Sequence, residues 1–206
     1  MTVASAAPVR HTRPPFVVLL LLGAFVLGMA YVVGTSLVPH PVPTFTLAEH
    51  RNSDQRQPVG VDRPASVTDT LTVEAGDQDR WRFIDLDRGV VLVPPDTVGW
   101  DLAARRYHLL PRGDAADLGP RPFDAVEEAP TDGYLPHDGR TDAGHPAMRR
   151  WYRYGMFSHL LESKQHVYVL RTSGDSYVKV EVLSYYCPGP RPGCVTVRWA
   201  HLPPPR

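Results

Sequence analysis

The chain has 206 residues, and its 22 Lys plus Arg cancel its 22 Asp plus Glu, so the formal net charge is zero. No net field recommends nucleic acid, an acidic polymer or an anionic lipid surface as the main partner. Setting aside one long apolar segment leaves about 165 residues, enough for one domain with a real core but not comfortably for two.

Residues 1–13 carry Arg10 and Arg13, and residues 14–38 contain no charge. The run FVVLLLLGAFVLGMAYVVGTSLV supplies about the 20 apolar positions that a helix needs to cross roughly 30 Å of hydrocarbon. It is expected to be an uncleaved transmembrane helix. The competing reading is a signal peptide with Gly28-Met29-Ala30 as its small-x-small cleavage site. Both readings export the C-terminal part of the chain. Because the downstream flank has no Lys or Arg until Arg51, the N-terminus is expected in the cytoplasm and the C-terminal part outside the inner or plasma membrane, periplasmic or extracellular. Gly23 and Gly28, with Ala24 and Ala30 nearby, offer small residues for close helix packing.

Residues 39–66 are polar, and HPVPTFTLAEHRNSDQRQPVGVDRPAS holds four prolines with no sustained period. They read as a tether lifting the domain off the bilayer, or as a strap along a partner. Residues 67–202 form the predicted β domain. TDTLTVEA, WRFIDL and GVVLV are short alternating segments bounded by turn residues, hence strands. TVGWDLAARRYHLL reads as one further strand, although its Ala-Ala-Arg-Arg centre also suits a short helix. Residues 111–147, rich in Gly, Pro and Asp, read as long surface loops. HVYVLRT, the turn SGDS and YVKVEVLSYY predict a hairpin, with CVTVRWAHL as its third strand. Residues 203–206 are an extended tail that cannot continue a sheet.

Cys187 and Cys194 flank the loop PGPRPG in an exported segment, where a disulfide can persist; two free thiols are the other reading. A zinc site is incomplete with two thiolates alone. The carboxylates Asp77, Asp79, Asp85 and Asp87 lack calcium-loop spacing and read as turn formers and solvated strand edges. No Gly-x-Ser-x-Gly elbow, phosphate loop, dinucleotide fingerprint or His-Glu-x-x-His helix occurs, so a noncatalytic protein is expected.

Several stretches in order resemble one family. Trp81 opens a strand before an acidic, Gly-containing turn, and Trp100-Asp101-Leu102-Ala103 is followed by Arg106-Tyr107. Then come Pro130-Thr131-Asp132-Gly133-Tyr134, Trp151-Tyr152, and the closing VYVLRTSGDSYVKVEVLSYY with VTVRW. Together these resemble the HmuY-like family of bacterial surface haem-binding proteins. The resemblance implies an all-β, antiparallel domain holding haem noncovalently between two axial ligands. It points to His145 of Gly144-His145 and His159 of Phe157-Ser158-His159 as those ligands. His166 is the remaining imidazole in reach, with Met148 and Met156 as alternate thioether ligands. A spanning helix replaces the N-terminal lipid-anchored cysteine typical of the family. Two functions are therefore expected: a noncatalytic accessory subunit of a larger respiratory or photosynthetic membrane complex, with no cofactor, or a membrane-anchored haem-capture protein.

Overall fold

A computed structural model describes residues 15–47, 67–92 and 99–206. The described residues divide into two compact units, one holding residues 15–40 with the turn Met156–His159, the other the described residues from Pro41 to Gly155 with Leu160–Arg206. In the first unit, α1 (Phe16–Leu37) begins directly after Pro15, whose fixed φ suits a helix start. Its 22 residues are about 33 Å long, long and apolar enough to cross a membrane. Thr35 and Ser36 turn their hydroxyls back onto the carbonyls of Tyr31 and Val32, which hides polar donors on an apolar rod. The helix stops where Val38 turns extended, as the residue before Pro39 prefers. Nothing lies within 4 Å of a Cβ built on Gly23 or Gly28.

In the second unit the strands are β1 (Asp69–Glu74), β2 (Arg82–Asp85), β3 (Val90–Leu92), β4 (Leu102–Arg105), β5 (His108–Pro111) and β6 (Ala115–Pro120). β7 (Tyr134–Leu135), β8 (Tyr152–Tyr154), β9 (Leu161–Ser163), β10 (His166–Arg171), β11 (Tyr177–Cys187) and β12 (Arg191–Leu202) complete the set. A six-stranded antiparallel sheet runs β1-β12-β11-β10-β6-β7, a four-stranded one β3-β2-β4-β5, and β8-β9 is a separate hairpin. The domain is all-β, as expected, and β10, β11 and β12 form the expected meander.

Both faces of the large sheet are covered. Tyr168 and Leu170 point into a core with Ile84, Leu102, Leu109, Trp151, Val180 and Trp199. Their alternates Val167 and Val169 point the other way, onto Phe123, Val126 and Ala200. This two-sided burial reflects the strand period of two. Trp199 donates its indole N–H to Leu86 O, and Trp151 donates to Tyr107 O, so each large ring is packed and hydrogen-bonded. Cys187 and Cys194 are joined in a disulfide across the β11–β12 turn.

Three stretches depart from the expectations. The described part of TVGWDLAARRYHLL, residues 99–110, is not one strand: β4 and β5 pair as a hairpin, turning at Arg106 with φ 53°. Ala103 and Ala104 are fully buried there, so the small side chains serve close packing rather than a helix. Within residues 111–147, read as loops, β6 and β7 join the large sheet. AADLGP has little intrinsic β preference, and its pairing with β10 decides its conformation. Finally, Val42 packs against the main core and Ser184 Oγ donates to Pro43 O. The start of the Pro-rich stretch therefore lies on the domain; residues 48–66 of it are outside the described residues.

Candidate functional site

His145 is placed by backbone geometry that its sequence context only half reveals. Gly144 has φ 72°, and a Cβ there would stand 2.9 Å from Leu109 O, so only glycine lets the chain pass this close to β5. The next N–H, that of His145, donates to the same Leu109 carbonyl at 2.8 Å, and Met148 N donates to His145 O at 3.0 Å. Arg149 braces the turn by donating to the carbonyls of Ala143 and Gly144 and pairing with Asp138 at 2.6 Å. The His145 ring is fully buried, with the His137 ring centroid 6.1 Å away.

Its hydrogen bonding fixes its tautomer. Nδ1 accepts the Ala147 N–H at 3.2 Å, so the neutral ring carries its proton on Nε2 and has no Nε2 lone pair to give a metal. That Nε2 is buried without a hydrogen-bond partner among the described residues. Burial, with His137 beside it, lowers the His145 pKa below 6.5, which keeps the ring neutral. Met148 is fully buried too. These two predicted donors are interior groups.

The other two predicted donors are exposed. Met156, Phe157, Ser158 and His159 form the turn between β8 and β9, closed by Gly155 N donating to Leu160 O at 2.9 Å. Met156 is 76% exposed and Phe157 52%, while His159 is also exposed, at φ 54°. β9 fixes this hairpin to the large sheet, because Tyr186 Oη accepts the Leu161 N–H and Ser163 Oγ donates to Val182 O. The structure thus splits the four predicted donors into an interior pair and an exposed pair.

The sequence did not single out the partner of a further imidazole. His166 Nδ1 donates to the Asp117 carboxylate, 3.0 Å from each oxygen. Only the β6–β10 pairing brings Asp117 to this place, so no local signal could reveal it. Among the described residues, no cluster of three or more His, Cys, Asp or Glu side chains could hold a metal ion. A cavity of about 610 Å³ is lined by Arg112, Tyr134, Arg171, Ser173 and Tyr177, and none of the four predicted donors lines it.

No family model and no curated protein matches the chain. Solved structures do match. The apo HmuY analogue of Tannerella forsythia is 14% identical with a TM-score of 0.57, over 66% of this chain and 96% of that one. The fold is HmuY-like. A putative HmuY-like haem-binding protein from Bacteroides vulgatus matches at 18% identity and TM-score 0.53, over 68% of this chain and 94% of its own. A putative lipoprotein from Bacteroides fragilis matches at 17% and 0.52, over 65% and 88%. At such identities the HmuY-like architecture is shared, while each side chain must be judged by its own position.

Proposed function

We propose that this chain is a noncatalytic, membrane-anchored haem-binding protein whose β domain lies on the outer face of the membrane. The observation that carries the reading is an HmuY-like fold presenting a thioether, a phenyl ring and an imidazole on one exposed turn, Met156–His159. Haem needs an axial nitrogen or sulfur donor reachable from solvent and an apolar edge against its ring. His159, with Met156 as the alternate, fits that need. His145 does not fit, because its Nδ1 takes the Ala147 N–H and leaves a proton on Nε2. Bound haem would supply an iron centre carried as cargo; the protein would supply a ligand and shelter for the ring.

The basic residues Arg10 and Arg13 precede the helix and favour a cytoplasmic N-terminus, and the Cys187–Cys194 disulfide suits an oxidising compartment. The expectation of an accessory subunit in a respiratory or photosynthetic complex finds no support among these structural relatives, and the haem reading replaces it.

Titrating haem into the full chain in mild detergent tests this. The wild type should give a shifted, sharpened Soret band that weakens in His159→Ala and in Met156→Ala. An unshifted spectrum at haem well above micromolar concentration would end the reading.

A further inference from the structure

The cavity that none of the predicted donors lines lies wholly within the second unit, and strand register explains its walls. Val169 and Arg171 share one face of β10, because strand side chains alternate. The pairings Arg171 with Tyr177, Val169 with Ala116 and Ala116 with Tyr134 carry that face across β11, β6 and β7. Tyr134 and Tyr177 therefore stand on one face of the large sheet, with the short Ala116 and Val169 on the strands between them. Both rings rest on the second core cluster, their centroids 6.3 Å apart and their planes tilted by 54°. A volume of about 610 Å³ is of the size that holds a small organic molecule.

Several polar groups of the cavity already have partners. Thr172 Oγ1 and Ser176 Oγ share a hydrogen bond, Ser173 Oγ donates to Gly99 O, and Arg171 pairs with Asp175 at 3.3 Å. Two donors do not. The Tyr134 hydroxyl is shielded from solvent without a hydrogen-bond partner among the described residues, a costly state for a polar group. Burial, with Tyr177 beside it, pushes this phenol up to about 12, so at neutral pH it is an O–H donor. Arg112, exposed on the β5–β6 turn, forms no ion pair among the described residues. An unpartnered guanidinium and an unpartnered phenol on one cavity call for an acceptor, and the planar guanidinium fork matches the two oxygens of a carboxylate. Charge disfavours a phosphate: Arg112 and Arg171 are balanced by Asp114 and Asp175 on the same lining, which leaves no surplus for a group of nearly double charge.

We propose that this cavity binds a monocarboxylate with a compact apolar body, its carboxylate held by Arg112 and the Tyr134 hydroxyl and its body against the tyrosine rings. The site is independent of the haem reading, since it needs neither haem nor the turn Met156–His159.

The test titrates phenylacetate into the full, haem-free chain in an uncharged detergent, read by calorimetry, with phenylacetamide and inorganic phosphate as comparisons. Phenylacetate should bind about tenfold tighter than either, and its affinity should fall about tenfold in Arg112→Gln and about fivefold in Tyr134→Phe. Urea unfolding gives a second readout. Removing a buried hydroxyl that has no partner should leave ligand-free Tyr134→Phe at least as stable as wild type, whereas phenylacetate should raise the midpoint of wild type more than that of the variant. Absence of binding at millimolar phenylacetate, or equal affinity in wild type and both variants, would overturn the site. Equal binding of phenylacetamide would overturn recognition of an anion, and tighter binding of phosphate would overturn the carboxylate. A ligand-free Tyr134→Phe less stable than wild type would mean that the hydroxyl already has a partner, and would overturn its role as a waiting donor.

Discussion

Replacing Asp85 with Asn should stabilise the β domain at neutral pH and leave it unchanged in acid. Asp85 ends β2 with its side chain only 6% exposed. Oδ1 accepts the Arg88 N–H at 2.8 Å, and the Arg88 guanidinium stands 3.5 Å from Oδ2. Desolvation outweighs these contacts, with Asp101 and Asp87 adding repulsion, and the carboxyl is pushed up to about 6 from 3.8. That rise corresponds to about 3 kcal/mol of stability withheld from the ionised form. Proton linkage sets the sign. Because the folded state holds the proton more tightly, the contribution is full below pH 3.8 and is lost as pH rises through about 6. Asn keeps an acceptor for Arg88 N–H and cannot ionise. Urea unfolding monitored by tryptophan fluorescence should therefore show Asp85→Asn about 2–3 kcal/mol more stable than wild type at pH 8, shrinking to nothing by about pH 4. A gain that does not change with pH, or a loss at pH 8, would refute the reasoning. Asp101 is the comparison: burial raises its carboxyl too, but its two oxygens accept the Leu86 and Ser173 N–H groups at 2.7 and 2.6 Å, so in Asp101→Asn the amide must turn its NH₂ towards one donor and the stabilisation expected at Asp85 should be offset.

Gly144→Ala should cost about 2 kcal/mol or more in the same assay, since the residue combines φ 72° with a 2.9 Å approach to Leu109 O; a neutral result would mean the loop does not sit against β5. His145 makes stability fall as pH drops below 6.5, because burial lowers its folded pKa and the unfolded chain takes up the proton first. In His145→Asn, whose side-chain oxygen can still accept the Ala147 N–H, that acid loss should shrink in pH-dependent unfolding curves. Reducing the Cys187–Cys194 bridge, whose cysteines are 7 residues apart, should lower stability by about 2.5 kcal/mol on the chain-entropy model. Comparing the oxidised chain with a Cys187→Ser, Cys194→Ser variant measures this.

The parts of this fold that were legible in the sequence are those where local pattern and tertiary role agree. α1 needs only composition, and β10 to β12 alternate in long runs around Gly-containing turns, so their meander and its disulfide could be read directly. The parts that were missed are held by distant partners. Ala115–Pro120 is a strand only because β10 lies beside it, and the β4–β5 turn rests on Arg106 at positive φ, for which no glycine or asparagine gives a signal. The candidate site divides in the same way. In Gly144-His145 the glycine serves a close approach to Leu109 and the histidine fills a buried space, and both facts depend on β5. The motif Phe157-Ser158-His159 lies on a turn whose exposure comes from a hairpin separate from both larger sheets.

The proposed haem site is the exposed turn rather than the buried imidazole. It is tested most directly by the Soret spectrum of the haem-titrated full chain as wild type, His159→Ala, Met156→Ala and His145→Asn, each first checked to be folded by its unfolding transition. A shifted band is expected in wild type and in His145→Asn, and a weakened one in the two turn variants. A band that disappears in folded His145→Asn while both turn variants bind like wild type would contradict it.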